Sequence, residues 1–398
     1  MLSLRAKNLK PSPTLALAAK AKELRSQGHD VISLSVGEPD WDTFEKVKAA
    51  GIEAIKEGVT KYTPSNGIPA LREAIAKQTN QDLNMDYSSD QVSVTTGAKF
   101  SIFSALQVLC DPGDEVLIPA PYWVSYPTMS ELAGAKPVMI TCGPSTHYKL
   151  SADLLKASIT NKTKVLILNS PSNPTGYLYS KEELKGIAQV LIDYPDIIIL
   201  SDDIYNRLVF EGDLAPHILQ AEPKLVDRTL IINGLSKTYS MTGWRVGWAV
   251  GPIEIIGAMN KYQSQSVSCA SGFSQQAAIT AINETKSELA EALVMLKKRR
   301  DFVYQEFSKI DGLQVSPPEG AFYIWADISG HLGKLYKGNK LDTSSDFAKY
   351  LLESQMVVSV PGIEFGLDGY LRVSFAINEK SMSEAVSRIK TYIGELKC

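Results

Sequence analysis

Two cations eight residues apart, Lys237 and Arg245, stand in the stretch "NGLSKTYSMTGWRVG". It follows the apolar run "TLII" and is otherwise small, hydroxylated and apolar, so it reads as interior. A lysine amine in a confined place loses its charge readily and forms a Schiff base with a carbonyl. An ordinary lysine instead snorkels to solvent. Arg245 offers a planar fork for a phosphate or for a structural ion pair. Upstream, "DIIILSDDIYNRLVF" ends an apolar strand in Asp202 and Asp203, with Tyr205 close behind. A carboxylate at a buried strand end needs a partner, either a structural arginine or the protonated ring nitrogen of a cofactor. "KVLILNSPSNPTG" places Asn173 in a loop shaped by Pro174 and Gly176. Its amide there binds a ligand oxygen or caps its own turn. "QVSVTTGAKFSIFSALQVL" runs from strand through Gly97-Ala98-Lys99 into helix. Such a turn exposes backbone N–H groups to an anion such as phosphate, although the same pattern also makes a bare tight turn.

The elements that must position these residues alternate. Candidate strands are "QVSVTTG", "EVLIPA", "KPVMIT", "KVLILNS", "DIIILSDD", "TLIINGLS" and "VGWAV", with amphipathic stretches such as "KEELKGIAQVLIDY" between them. Strands this apolar suit a sheet covered on both faces, and the alternation predicts an α/β domain with a mostly parallel sheet. Past roughly residue 286 the pattern changes. A long helix containing "ELAEALVMLKKRRDFVYQEF" is followed by the short strands "AFYIWADI" and "YLRVSFAI", as in a smaller α+β domain. Near the start, "TLALAAKAKELRSQG" is helical and "VISLSVGEPD" is a strand ending in a turn. The expected division is an N-terminal arm with part of the small domain over 1–46, a large domain over 47–290 and a small domain over 291–398.

Composition narrows the class. The 398 residues are 44 % hydrophobic and 21 % charged, ordinary for a globular protein, and the net charge of −3 gives no general attraction to nucleic acid. No apolar run approaches the ~20 residues of a membrane span, and the N-terminus lacks a secretory apolar core. Cys110, Cys142, Cys269 and Cys398 form no paired motif, so a reducing cytoplasm is expected. The isolated His29, His147, His217 and His331 predict no metal site. No G-x-G-x-x-G follows a strand, which argues against a nicotinamide dehydrogenase. What collects at the strand ends is a phosphate cradle, a carboxylate, a phenol, an amine and an arginine. Doubly wound sheets bind ligands there, and the set matches the needs of pyridoxal 5′-phosphate.

With "SKTYSMTGWRVGW", "NSPSNPTG", "SDDIY", "PYWVSYP", "KYTPSNG" and "LRVSFA" in this order, the chain resembles the class I aminotransferases of fold type I over nearly its whole length. The likeness is strongest to the bacterial aspartate and aspartate/prephenate subgroup. It implies a large domain with a mostly parallel seven-stranded sheet, a smaller α+β domain, and pyridoxal phosphate as cofactor. It also implies roles. Lys237 forms the Schiff base and carries the proton, Asp202 pairs with the ring nitrogen, and Tyr205 and Asn173 bond the phenolic oxygen. Trp123 stacks on the ring, and the Gly97-Ala98-Lys99 turn with Arg245 holds the phosphate. Tyr62 resembles a tyrosine that reaches the phosphate of a neighbouring subunit, so a homodimer with shared sites is expected. Arg372 clamps the substrate α-carboxylate, near Asn173. Gly37 lies where the N-terminal segment closes over the substrate.

The expected reaction is a reversible ping-pong transfer of the amino group from aspartate or glutamate to a 2-oxo acid. Lys99, with Thr14 and Ser12 nearby, matches the place that binds a distal carboxylate, and Lys10 matches a position associated with prephenate. Competing readings are another side-chain specificity (aromatic or alanine), a lyase or synthase on the same cofactor, and a non-catalytic regulatory module. One residue departs from the family pattern: Gly234 stands where a phosphate-binding serine is common, and neither it nor Ser236 is assigned as a ligand.

Overall fold

The structure is a computed structural model that describes all residues except 4, 5, 8, 10 and 398. Lys10 and Cys398 therefore lie outside the described residues. Seven strands form the large sheet: β1 (Val92–Thr95), β2 (Glu115–Ala120), β3 (Lys136–Thr141), β4 (Thr163–Asn169), β5 (Ile198–Asp202), β6 (Thr229–Gly234) and β7 (Gly247–Val250). Their order across the sheet is β1-β7-β6-β5-β4-β2-β3. Only β7 runs against its neighbours, pairing antiparallel with both β1 and β6, while the other pairs are parallel.

Side-chain alternation builds two cores on this one sheet. Val165 and Ile167 of β4 face one apolar cluster, and Leu166 and Leu168 face the other. Helices cover both faces, so the inner strands are buried on both sides, while the edge strand β3 stays partly exposed. Each fully buried Leu or Ile contributes about 1.5–3 kcal/mol of apolar burial. Local signals set the helix ends. Helix Lys181–Ile192 starts at a capping box: the Ser180 Oγ accepts the Glu183 N–H at 3.1 Å, and the Glu183 carboxylate accepts the Ser180 N–H at 2.7 Å.

A second sheet holds β8 (Tyr323–Asp327), β9 (Val360–Pro361) and β10 (Tyr370–Ser374), antiparallel in the order β9-β10-β8. The N-terminal strand Ile32–Ser33 pairs in parallel with Val357–Val358, and the Ser374 N–H donates to the Leu34 carbonyl at 2.9 Å. This fastens the segment around Ser35–Gly37 beside β10, opposite the carboxyl ends of β4, β5 and β6.

Candidate active site

Strand ends and strand starts from both sheets converge on a cavity of about 390 Å³. The chain reverses its direction of progress across the sheet between β2 and β4, and the loops after those strands deliver Trp123 and Asn173 to the cavity wall. Such a switch point is where doubly wound sheets bind ligands.

Asp202 closes β5 and is buried. Its Oδ2 accepts the Tyr126 hydroxyl at 2.5 Å and its Oδ1 accepts the Ile204 N–H at 3.3 Å. Burial raises its pKa to about 6, against the opposing pull of those two hydrogen bonds and of Lys237. Strand alternation turns Asp203 away from the cavity. It accepts the Ser201 hydroxyl at 2.7 Å and faces His217 Nε2 at 3.4 Å. Tyr205 is buried beside Asp202, and its hydroxyl lies 2.8 Å from that of Tyr323.

Lys237 follows β6, and its Nζ donates to the Gly37 carbonyl. Burial lowers its pKa to about 8; Arg372 and Arg245 push the same way, and Glu38 and Asp202 oppose them. Arg245 sits with left-handed backbone at φ 55°, donating to the Thr242 carbonyl at 2.9 Å and the Thr96 carbonyl at 3.3 Å. Its guanidinium fills the space that a Cβ on Gly97 would occupy, and Gly97 itself has φ 95°. The conformation there favours glycine, and an added Cβ would displace the Arg245 guanidinium. Gly247 has a similar role: a Cβ on it would overlap the Gly97–Ala98 backbone at the start of helix Ala98–Leu109.

Arg372 lies on β10 and is 2 % exposed. It donates to Asn173 Oδ1 at 3.0 Å and to the Ser35 carbonyl at 2.6 Å, and its guanidinium stacks 4.5 Å above the Tyr323 ring. Its Nε is buried without a hydrogen-bond partner. Lys99 stands 5.0 Å over the Trp123 ring, its pKa lowered by burial and by Arg245. Ser12 and Thr14, with their hydroxyls 3.1 Å apart, line the same cavity where helix Pro13–Ser26 begins.

Lys237, Asp202, Tyr205, Asn173, Trp123, Arg245, Arg372, Lys99, Ala98 and Gly37 thus all line one cavity, with Gly97 directly behind Arg245. Tyr62 does not; it is 90 % exposed. At Gly234 an added Cβ would lie 3.0 Å from Gly247 Cα and 3.1 Å from the Val246 carbonyl, because β6 and β7 approach closely. Ser236, from the same turn, is buried and lines the cavity. Sequence reasoning missed Tyr126, Tyr323, Asn169, Glu38 and Thr242. Asn169 ends an apolar strand as Asp202 does, so the strand-end rule could have found it. The others carry no local signal, because their partners are distant in the chain.

The charge balance is the site's main property. Four cations line the cavity, Lys99, Lys237, Arg245 and Arg372, against two carboxylates, Glu38 and Asp202. Among the described residues none of the four cations has a carboxylate within ion-pair distance. Arg372 is buried and Lys237 half-buried, while Lys99 and Arg245 reach the exposed side of the cavity. Four cations against two carboxylates, with none paired, leave the cavity positive and suited to anions.

The model of "aminotransferase class I and II" matches residues 29–389. The chain belongs to this family. It is 44 % identical to a probable aspartate/prephenate aminotransferase of Rickettsia felis, across 100 % of this chain and 97 % of the relative. Among solved structures it resembles the aspartate aminotransferase of Rhizobium meliloti at TM-score 0.96 and 41 % identity, each chain covered in full. It also resembles the Thermus thermophilus aspartate aminotransferase with maleate, at TM-score 0.92 and 36 % identity, across 98 % of this chain and 99 % of that one. The chain is an aminotransferase with the α/β architecture of fold type I, a large, mostly parallel seven-stranded sheet joined to a smaller antiparallel one. In this aminotransferase the donor set fits pyridoxal phosphate. The Arg245–Gly97 corner offers a guanidinium and helix N–H groups to a phosphate, Asp202 offers a buried acceptor, and Lys237 offers an amine of lowered pKa.

Proposed function

We propose that this aminotransferase moves the amino group of aspartate to a 2-oxo acid, using pyridoxal phosphate held by Lys237, Asp202, Tyr205, Asn173, Trp123, Arg245 and the Gly97-Ala98-Lys99 turn. The carrying observation is the excess of unpaired cations in the cavity, which suits a ligand with phosphate and carboxylate groups. When bound, the cofactor supplies an aldehyde that condenses with amines and an electron-poor ring that takes up the electron pair released at Cα.

The chain's own groups do the rest. Lys237, with a pKa of about 8, is partly neutral near neutral pH, so its Nζ can act first as nucleophile and then as base at the substrate Cα. Asp202 holds negative charge against a cationic ring nitrogen, and Tyr126 keeps its carboxylate oriented. Arg372, aimed by Asn173 and by the Ser35 carbonyl, offers the fork that a planar α-carboxylate needs. Lys99, beside Ser12 and Thr14, supplies the second positive charge for the distal carboxylate. The maleate-bound Thermus relative and the naming of the Rickettsia relative support a dicarboxylate donor, with prephenate as a further acceptor.

A cytoplasmic homodimer belongs to the same reading, with the exposed Tyr62 reaching the partner's phosphate. Among the described residues no helix is long and apolar enough to cross a membrane. The deciding experiment is the visible spectrum of the purified holoenzyme. Aspartate is expected to shift its band faster than alanine or tyrosine does, and Lys237→Ala to abolish the band. A band that ignores aspartate, or full activity in Lys237→Ala, overturns the reading.

A further inference from the structure

The segment Gly37–Thr43 lies across the loop that carries Lys237 and is sewn to it by side chains. Lys237 Nζ donates to the Gly37 carbonyl, Thr242 Oγ1 donates to Glu38 Oε2 at 2.8 Å, and Ser240 Oγ donates to the Trp41 carbonyl. Thr43 Oγ1 donates to the Ser240 carbonyl at 2.6 Å and accepts the Trp244 indole N–H at 3.0 Å. From the other side, Arg299 of helix Lys286–Phe307 anchors the segment through Asp40 at 2.6 Å. Thr242 stands at the centre, since its hydroxyl holds Glu38 while its carbonyl accepts from Arg245.

We propose that Glu38 is a positioning residue for Lys237: tethered by Thr242, its carboxylate keeps negative charge at the cavity wall and fixes the adjoining Gly37 carbonyl as the acceptor for the Lys237 amine whenever that amine is free. This rests on the reading of Lys237 as the condensing lysine. The groups that face the amine are Asp202 at the end of β5, Arg372 on β10, Arg245 beyond the loop, and Glu38. Two guanidiniums favour loss of the lysine proton. Without Glu38 they are opposed by Asp202 alone. An amine that takes a proton in one step and returns it in another works best with a pKa near the working pH. The Glu38 charge raises the Lys237 pKa, opposing the reduction by burial.

The test uses the full-length cofactor-free chain and follows by absorbance its covalent capture of pyridoxal phosphate over roughly pH 6–10, where the lysine titrates. For Glu38→Gln the midpoint of the rate profile is expected to fall by about half to one pH unit, the size of one solvent-facing charge a few ångströms away. Thr242→Val is expected to move it in the same direction by less, and Thr242→Ser to leave it in place. Glu38 is exposed, so its substitution does not threaten the fold. An unmoved midpoint in Glu38→Gln, or slower capture at every pH without a shift, overturns the proposal. A wild-type chain that captures no pyridoxal phosphate, or Lys237→Ala capturing as fast as wild type, overturns the lysine reading and this proposal with it. Capture that needs Lys237 but ignores Glu38 overturns only the role of Glu38.

Discussion

Tyr126 donates its hydroxyl to Asp202 at 2.5 Å, both side chains being buried. The pair joins the start of helix Tyr126–Leu132 to the end of β5, 76 residues later in the chain. It gives a buried carboxylate one strong hydrogen bond that holds it at the cavity wall.

Because burial raises the folded pKa of Asp202 to about 6, above its unfolded value, this group opposes the fold once it is ionised. In the cofactor-free chain its contribution is therefore neutral at low pH and becomes a penalty of about 3 kcal/mol as pH rises from about 4 through 6. Tyr126→Phe removes the donor and raises that pKa further. Thermal unfolding of the cofactor-free variant is expected to differ little from wild type near pH 4 and to fall behind by about 1.5–3 kcal/mol near pH 8. A difference independent of pH would mean that Tyr126 acts through packing alone.

Arg372 is a buried cation without a carboxylate partner among the described residues, an arrangement that opposes stability while no anion is bound. Arg372→Met is expected to leave the melting temperature of the unliganded chain unchanged or raised. In the same variant kcat/KM for aspartate should fall by about two orders of magnitude, the loss of a charge-assisted bidentate contact. Steady-state kinetics and calorimetry on one preparation check both halves. A large drop in melting temperature would show that the arginine is structural.

Lys99 separates dicarboxylic from neutral donors if it meets the distal carboxylate. Lys99→Gln should lower kcat/KM for aspartate on the order of tenfold or more while alanine changes little. Equal losses for both would assign Lys99 to the phosphate turn instead.

Gly97 combines φ 95° with a Cβ position already filled by the Arg245 guanidinium. Gly97→Ala is expected to cost about 1–3 kcal/mol of stability and to displace Arg245. Equilibrium titration with pyridoxal phosphate should show at least tenfold weaker binding, with KM for aspartate nearly unchanged at saturating cofactor. Wild-type affinity would remove Arg245 from the phosphate corner.

Much of the site was legible in the sequence. Asp202, Asn173 and Lys237 close or follow apolar runs, and parallel strands place such ends on one edge. All seven strands of the large sheet were readable as apolar runs, whereas the two-residue strands Val357–Val358 and Val360–Pro361 are too short to leave a pattern. The reversal of β7 was not, since "VGWAV" carries no mark of direction. Tyr323 and Glu38 were equally silent, since each meets its partner across more than a hundred residues of chain.

The amino-acid sequence by itself determined the sheet, the family and the chemical types available: an amine, a carboxylate, a phenol and guanidiniums at strand ends and turns. Only the tertiary structure decided their environment. Burial draws Lys237 down to about 8 and Asp202 up to about 6, and the crossing of segment Gly37–Thr43 over the lysine loop sets which carbonyl receives the amine. The reason is physical. Residue type and periodicity are local properties of the chain, whereas desolvation and charge proximity arise only once distant segments have packed together.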